Sequence, residues 1–162
     1  METLEIHWRN ELRPADELAI RQIVESTGFF HPYEVDIAVE LAQERLTRGP
    51  ASGYEFVLAD LNGETVGYSC FGLIGCTLAS YDLYLIAVSR DQQGRGLGGR
   101  LLEASEQRIR AANGLRVYIE TSNRPLYLST RGFYLKSGYR EEAVLRDFYA
   151  PHDDKVIYVK TL

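Results

Sequence analysis

Apolar and polar residues follow two different periods along the chain, and the changes between them separate short strands from longer helices. The first half predicts a strand over Leu4–Asn10, a helix from Pro14 to Thr27-Gly28, a loop over Phe29–Glu34, a helix ending at Arg48-Gly49-Pro50, and a hairpin turning at Leu61-Asn62-Gly63. The second half predicts a strand over Tyr81–Val88, a helix with an apolar stripe from Leu101 to Ala112, a strand over Leu115–Thr121, a helix within Pro125–Lys136, and strands near Arg140–Phe148 and Lys155–Lys160. The order β-α-α-β-β-β-α-β-α-β-β indicates a mixed α/β sheet flanked by helices.

Composition and charge narrow the class of protein. The chain has 162 residues, 45% of them hydrophobic, which predicts one globular domain over residues 1–162. A net charge of −5 disfavours a nucleic acid or an anionic membrane as partner and favours a cationic substrate. No apolar run approaches the roughly 18 residues of a membrane span, and residues 1–14 lack the apolar region of a signal peptide. We therefore expect a cytoplasmic protein.

The two cysteines, Cys70 and Cys76, lie in one apolar stretch at an even spacing. This spacing predicts that they share one face of a strand as small buried thiols. Neither belongs to a CxxC pair or stands near two histidines, so the sequence predicts no metal site.

A glycine-rich stretch, "AVSRDQQGRGLGGRLL" from Ala87 to Leu102, has glycine at four of the six positions from 94 to 99. Glycines at this density leave bare backbone N–H groups that can surround an anion. Two known glycine motifs can be aligned with this stretch, each in a different register. Gly94-x-Gly96-x-x-Gly99 matches the dinucleotide-binding fingerprint, whereas Gln93-x-x-Gly96-x-Gly98 matches a loop that binds the pyrophosphate of coenzyme A.

The surroundings of the loop favour the coenzyme A register. A strand before it, a helix after it and the acid Glu120 support a dinucleotide site. However, residues 89–93 separate Val88 from Gly94, whereas the dinucleotide turn leaves the strand directly. Only 63 residues follow Gly99, which is too few to complete a six-stranded doubly wound sheet.

Two segments resemble the GNAT superfamily of N-acetyltransferases. "DLYLIAVSRDQQGRGLGGRLL" resembles its motif A, a strand ending in an "AV" pair, a short loop, Q/R-x-x-G-x-G/A and a helix. "SNRPLYLSTRGFYLKSGY" is similar to its C-terminal motif, an Asn followed downstream by a helix ending in FYxxxGF/Y. With the element order, the resemblance covers nearly the whole chain and implies the GNAT fold. The gap from Asn123 to Tyr134 is longer than in common members, so we expect an extra turn or loop there.

The resemblance implies acetyl-CoA as co-substrate and no metal. The cofactor-binding positions that it implies are Ile86, Ala87, Val88, Gln93, Gly94, Arg95, Gly96, Leu97, Gly98, Gly99 and Asn123. The strand end would bind the pantetheine amides through its main chain, and the helix N-terminus would bind the pyrophosphate. Arg95 could make a charged contact with the cofactor or lie solvated at the surface. Asn123 could contact the cofactor or act as a helix cap or turn residue.

Acetyl transfer to an amine needs a base and an acid, because the amine arrives protonated and the thiolate leaves without a proton. Tyr134 matches the family's tyrosine that protonates the sulfur. Asp82 matches the position where some members carry a catalytic Glu, and a shorter Asp would act through a bridging water. Glu120 is the second choice, and a chain of waters without a carboxylate base is a third.

The resemblance implies that the acceptor is an amine of a small molecule or a peptide. In this fold its pocket is built from the loop between the first two helices and from the final hairpin, here Phe29–Tyr33 and Tyr149–Asp154. Aromatic walls and acids suit a cationic amine, although packing and turn chemistry explain the same residues equally well. The family implies direct attack by the amine in a ternary complex. A non-catalytic acyl-CoA-binding sensor or interaction module is the alternative, and a monomer or a homodimer fits either function.

Overall fold

The computed structural model describes residues 3–162; residues 1 and 2, part of the segment considered for a signal peptide, lie outside the described residues. The elements are β1 (His7–Arg9), α1 (Asp16–Thr27), α2 (Pro32–Arg48), β2 (Glu55–Leu61), β3 (Glu64–Leu73), β4 (Ser80–Val88), α3 (Leu97–Ala111), β5 (Arg116–Ser122), α4 (Leu128–Lys136), β6 (Arg140–Ala150) and β7 (Asp153–Thr161). The strands follow the order β1-β2-β3-β4-β5-β7-β6 in one mixed sheet, which confirms the predicted mixed α/β class and the predicted element order.

The turn signals are confirmed where the backbone has positive φ. Gly28 ends α1 at φ 72°, and Asn62 and Gly63 form the tight β2–β3 turn at φ 52° and 84°. Glycine and asparagine adopt this left-handed region more readily than other residues. These residues therefore predicted correctly where the first helix ends and where the hairpin turns.

Several boundaries differ from the prediction, and β1 is shorter than predicted, with only His7–Arg9 in the sheet. The loop predicted over Phe29–Glu34 ends early, because Pro32 begins α2 and the His31 N–H donates a hydrogen bond to Glu34 Oε2 at 2.7 Å. The last hairpin is tighter than predicted, since β6 runs to Ala150 and β7 begins at Asp153.

The cysteine prediction is wrong for one of the two residues. Cys70 is fully buried on β3, where burial raises the pKa of its thiol. Cys76 lies beyond the end of β3, is exposed, and has φ 63° in the turn before β4. The two thiols therefore do not share a strand face.

One compact unit comprises residues 3–72 and 85–108. Its strands β1, β2 and β3 pair antiparallel. Alternate residues of β2 and β3 face α1 and α2, and the resulting core contains Ile20, Val24, Val39, Phe56, Leu58 and Tyr68. No helix among the described residues of the chain is long and apolar enough to cross a membrane.

The other unit comprises residues 73–84 and 109–162. Here the first half of β4 pairs parallel with β5, and β5 and β7, like β7 and β6, pair antiparallel. Tyr134 of α4 packs against the rings of Tyr139 and Tyr158, with centroids 6.0 and 6.1 Å away. Residues 80–84 of β4 belong to this unit and residues 85–88 to the first.

A buried arginine joins four segments of the first unit. Arg9 of β1 is 8% exposed, and its guanidinium donates to Asp16 Oδ1 at 2.9 Å and to Asp60 Oδ2 at 2.6 Å. Thr65 Oγ1 accepts from Arg9 at 3.1 Å and donates to Asp60 Oδ1 at 2.8 Å. Burial alone would raise the pKa of Asp60, but the hydrogen bonds from Arg9 and Thr65 hold it below its usual range. Both carboxylates therefore depend on Arg9.

We expect Arg9→Met to lower the free energy of unfolding by about 3–5 kcal/mol, because it removes the buried guanidinium with which both Asp16 and Asp60 pair. Urea denaturation measures the change. The matched control is Arg21→Met, which removes an exposed pair with Asp36 and should cost less than about 1 kcal/mol. Equal losses in the two variants would contradict the role assigned to Arg9.

Candidate active site

The strand end and glycine loop form one set of predicted site residues, and they lie in the first unit. After Val88, the Ser89 N–H donates to Val66 O at 2.8 Å, and Arg90–Gln92 form a single 3₁₀ turn. The five-residue spacer is therefore an ordered turn between β4 and the glycines. It separates the loop from the strand, as the coenzyme A register requires.

Two of the four glycines carry the bend of the loop. Gly94 and Gly96 have φ 77° and 78°, where a side chain would strain the backbone. Helix α3 begins at Leu97, so the remaining two glycines lie in its first turn rather than in the loop, earlier than the predicted helix stripe. Apart from the adjoining residues and the backbone of the same helix, no heavy atom lies within 4 Å of the position that a Cβ would occupy on Gly94, Gly96 or Gly99. The loop thus presents open backbone and a helix N-terminus, which together suit an anion.

The polar side chains of the loop brace it. Gln93 Nε2 donates to Val88 O at 3.0 Å, and Arg95 Nη1 donates to Gln92 Oε1 at 3.2 Å. Ala87 is buried in the core, while Ile86 and Val88 point from the opposite face of β4 and are partly exposed. The main-chain groups and the helix end are open to a ligand, and the charged Arg95 side chain is exposed beside them.

Gly67 on β3 is a residue that the sequence analysis missed. A Cβ there would lie 2.9 Å from Leu101 Cδ1 and 3.2 Å from Ala87 O. The glycine therefore lets α3 and the end of β4 pack closely against β3. An isolated glycine inside a predicted strand was the available signal for this close approach.

The candidate bases lie in the second unit. Asp82 of β4 pairs with Tyr118 of β5, and Glu120 follows two residues later on the same face. Burial and the neighbouring Glu120 raise the pKa of Asp82, while Lys155 acts in the opposite direction. Glu120 Oε2 accepts a hydrogen bond from Lys155 Nζ at 2.8 Å. The structure thus places both predicted carboxylates in one charged cluster, with Asp82 partly buried and Glu120 exposed.

Tyr134 also lies in the second unit. It is 7% exposed in the aromatic cluster of α4, and burial raises the pKa of its phenol. A 3₁₀ turn over Pro125–Tyr127 precedes α4, which confirms the expected extra turn between Asn123 and Tyr134. A phenol with a raised pKa stays protonated at neutral pH and can act as a proton donor.

Asn123 is held by the start of β7. Its Nδ2 donates to Asp154 Oδ2 at 3.1 Å, and its Oδ1 accepts from the Asp154 N–H at 2.9 Å. Its backbone N–H donates to Asp154 O at 3.0 Å. Asn123 therefore fixes the end of β5 against β7, the turn role considered for it in the sequence.

Lys155 is the charged residue of this region that the sequence analysis missed. It is 9% exposed on β7, and its Nζ lies 3.6 Å from the centroid of the Phe148 ring. The available signal was a lysine at an inward position of the apolar strand "KVIYV". Among the described residues, no group of three His, Cys, Asp or Glu side chains is placed to hold a metal ion.

The predicted acceptor segments lie in different units. In the first unit, His31 stacks on Tyr33 at 5.4 Å, and Tyr33 is 63% exposed. A cleft of about 590 Å³ in this unit is lined by α1, the β2–β3 turn and residues 89–92. None of the predicted catalytic or cofactor-binding residues lines it, so the cleft does not mark the candidate chemistry.

Comparison with known proteins places this geometry in a family. A model described as an acetyltransferase (GNAT) domain matches residues 52–141, more than half of the chain. A crystal structure from Desulfovibrio desulfuricans, described as an acetyltransferase of the GNAT family, is 43% identical over 97% of this chain and 99% of that chain, with a TM-score of 0.96.

Two further relatives are more distant. An uncharacterized N-acetyltransferase of Methanocaldococcus jannaschii is 27% identical over 113 residues, and the match spans 65% of each chain, less than two thirds of the relative. A GNAT family acetyltransferase from Elizabethkingia anophelis with acetyl-CoA bound shares the fold at a TM-score of 0.70 and 18% identity, over 97% of this chain and 98% of that chain.

Proposed function

This chain belongs to the GNAT acetyltransferase family, and we propose that it transfers the acetyl group of acetyl-CoA to an amine of a small molecule or a peptide. The observation that carries the proposal is the open backbone from Gly94 to Gly99 at the start of α3, after an ordered spacer that suits the coenzyme A register. A structural relative with acetyl-CoA bound supports the choice of co-substrate.

The loop would hold the pyrophosphate of acetyl-CoA through backbone N–H groups and the favourable dipole of α3. Main-chain groups of Ile86, Ala87 and Val88 would bind the pantetheine amides, as the family implies. Gln93 and Arg95 support the loop shape through their hydrogen bonds. Asn123 supports the β5–β7 junction in this proposal.

In the proposed reaction, the amine nitrogen bonds to the thioester carbonyl carbon and the carbon–sulfur bond breaks. Asp82 accepts the proton that the ammonium loses before attack, directly or through a water, and passes it to solvent. The nitrogen loses its second proton to solvent as the tetrahedral intermediate collapses. Tyr134 donates its phenolic proton to the departing thiolate and is reprotonated from solvent. The products are the N-acetyl amine and free coenzyme A, without a covalent enzyme intermediate.

Two-substrate kinetics test this sequence of events. With acetyl-CoA and an amine varied together, direct attack in a ternary complex gives intersecting double-reciprocal lines, whereas an acetyl-enzyme gives parallel lines.

The choice of co-substrate is tested separately by thermal unfolding. Acetyl-CoA should raise the melting temperature and NADH should not, since only a ligand that binds the folded state stabilises it. A rise with NADH alone would refute the proposal.

Gly99→Ala is expected to weaken acetyl-CoA binding by about tenfold without lowering the free energy of unfolding, because alanine favours the helical backbone more than glycine does. The added methyl group meets no protein atom, so a loss of affinity would come from the ligand's approach to the backbone. Calorimetric titration and urea denaturation measure the two quantities. Gly96→Ala is the comparison, because positive φ makes it cost both stability and affinity. Unchanged affinity in Gly99→Ala would exclude close approach at this position.

A further inference from the structure

Lys155 is held as an alkylammonium ligand would be. Its Nζ lies 2.8 Å from Glu120 Oε2, 3.6 Å from the centroid of the Phe148 ring and 5.9 Å from that of Tyr149. Carboxylates and aromatic faces are the groups with which proteins bind alkylammonium ions. We call Glu120, Phe148 and Tyr149 the cation cage. In this structure the cage is filled by a side chain of the protein itself.

An irregularity in β6 builds the cage. The pairing of β6 with β7 shifts between Leu145 and Ala150, and Asp147 in this interval has φ 53°. The Asp147 N–H donates to Asp154 Oδ1, and Asp147 Oδ1 accepts from the His152 N–H, both at 2.8 Å. The shift brings the rings of residues 148 and 149 to Lys155, nearly perpendicular to each other at 85°.

The two acids that precede Lys155 in the chain have their own partners. Asp153 accepts a hydrogen bond from Ser122 Oγ, and Asp154 bonds to Asn123 and to the backbone of Asp147. Glu120 is therefore the carboxylate that pairs with the lysine, and the pair carries no net charge.

The filled cage lies in the same charged cluster as Asp82. On β5, Tyr118 pairs with Asp82, and Ser122 pairs with Lys155. Because alternate residues share a face, Asp82, Glu120 and Lys155 project from one face of the sheet. An amine presented to Asp82 would therefore meet a neutralised pair rather than a free carboxylate and open rings.

On the premise of the proposed function, we propose that Lys155 is a specificity-determining residue that occupies the cation cage and so disfavours acceptors with a second positive charge. Because the Lys155 ammonium already binds Glu120 and the rings of Phe148 and Tyr149, these groups are not available to a second cation. The acceptor class is then amines with a single positive charge. This narrows the expectation, drawn from the aromatic and acidic residues of the hairpin, of a cationic amine: a singly charged amine fits, and a doubly charged one does not.

Removing the lysine should open the cage to a second cation. We compare 1,5-diaminopentane with pentylamine, which differ by the second amine, through the ratio of their kcat/KM values. Lys155→Ala and Lys155→Met should raise this ratio by about tenfold or more, whereas Lys155→Arg, which keeps the cation, should leave it near the wild-type value. The methionine variant retains most of the aliphatic part of the side chain and its packing, so it tests loss of the charge without loss of folding. A ratio that is the same in all four proteins would overturn the proposal.

A binding measurement tests the cage without acetyl transfer. Propylammonium matches the atoms that Lys155→Ala removes, so it should raise the melting temperature of this variant in a dose-dependent manner. It should not do so for the wild type, and neutral 1-propanol should do so for neither. No ammonium-specific rise in Lys155→Ala would refute the cage. By contrast, acetyl transfer to no amine would refute the proposed function and leave this binding result intact.

Discussion

Asp82→Asn is expected to lower kcat/KM for acetyl transfer by about 10²-fold or more, which is the usual contribution of a positioned general base. Asparagine keeps the size of the side chain but cannot accept the proton that the amine must lose. Initial rates of thiol release measure the effect, with the melting temperature as a check on folding. A variant that retains full activity at all pH values would show that waters, rather than this carboxylate, deprotonate the amine.

The pH dependence provides an independent test of the same residue. Burial and the charge of Glu120 raise the pKa of Asp82, and Lys155 partly opposes them. Because only the deprotonated carboxylate acts as a base, kcat/KM should fall as the pH drops through this raised pKa. Glu120→Gln removes a charge that raises the pKa, so the acid limb should move to lower pH. If Glu120 is itself the base, Glu120→Gln would instead abolish most of the activity.

Tyr134→Phe is expected to lower kcat by about 10²-fold with little change in the KM for acetyl-CoA. Phenylalanine preserves the ring packing against Tyr139 and Tyr158 but cannot protonate the departing thiolate. Since burial raises the pKa of the phenol, Tyr134 should contribute no basic limb near neutral pH.

Tyr158→Phe is the matched control, because it removes a hydroxyl group from the same aromatic cluster at a residue without an assigned role. It should retain nearly the wild-type kcat. Equal losses in the two variants would indicate a packing effect. An unchanged kcat in Tyr134→Phe, across acceptors and pH, would remove the role assigned to Tyr134.

Local signals in the sequence were sufficient for much of the fold. Gly28 ends a helix and the Asn62-Gly63 pair forms a turn, because their positive φ is energetically costly for most other residues. This cost is local and does not depend on the rest of the chain. The apolar run of β4 likewise predicted the strand that precedes the glycine-rich loop. Such features lie within a few residues of one another.

The charged cluster could not be predicted in the same way. The contact between Lys155 and Glu120 depends on the register of two distant strands, and the position of Phe148 depends on a shift in the β6–β7 pairing. A single sequence does not specify either register. The same limit applies to Cys76. Its spacing from Cys70 predicted a position on the same strand, but β3 ends at Leu73 and Cys76 lies in the turn that follows.

The central claim, acetyl transfer from acetyl-CoA to an amine, is tested most directly by following both products. The protein is incubated with isotopically labelled acetyl-CoA and a panel of amines, and free thiol and labelled N-acetyl amine are measured together. We predict thiol release that depends on the amine and is matched by an equal amount of labelled product. Binding of acetyl-CoA without acetylation of any amine would contradict the claim and would indicate an acyl-CoA-binding sensor or interaction module.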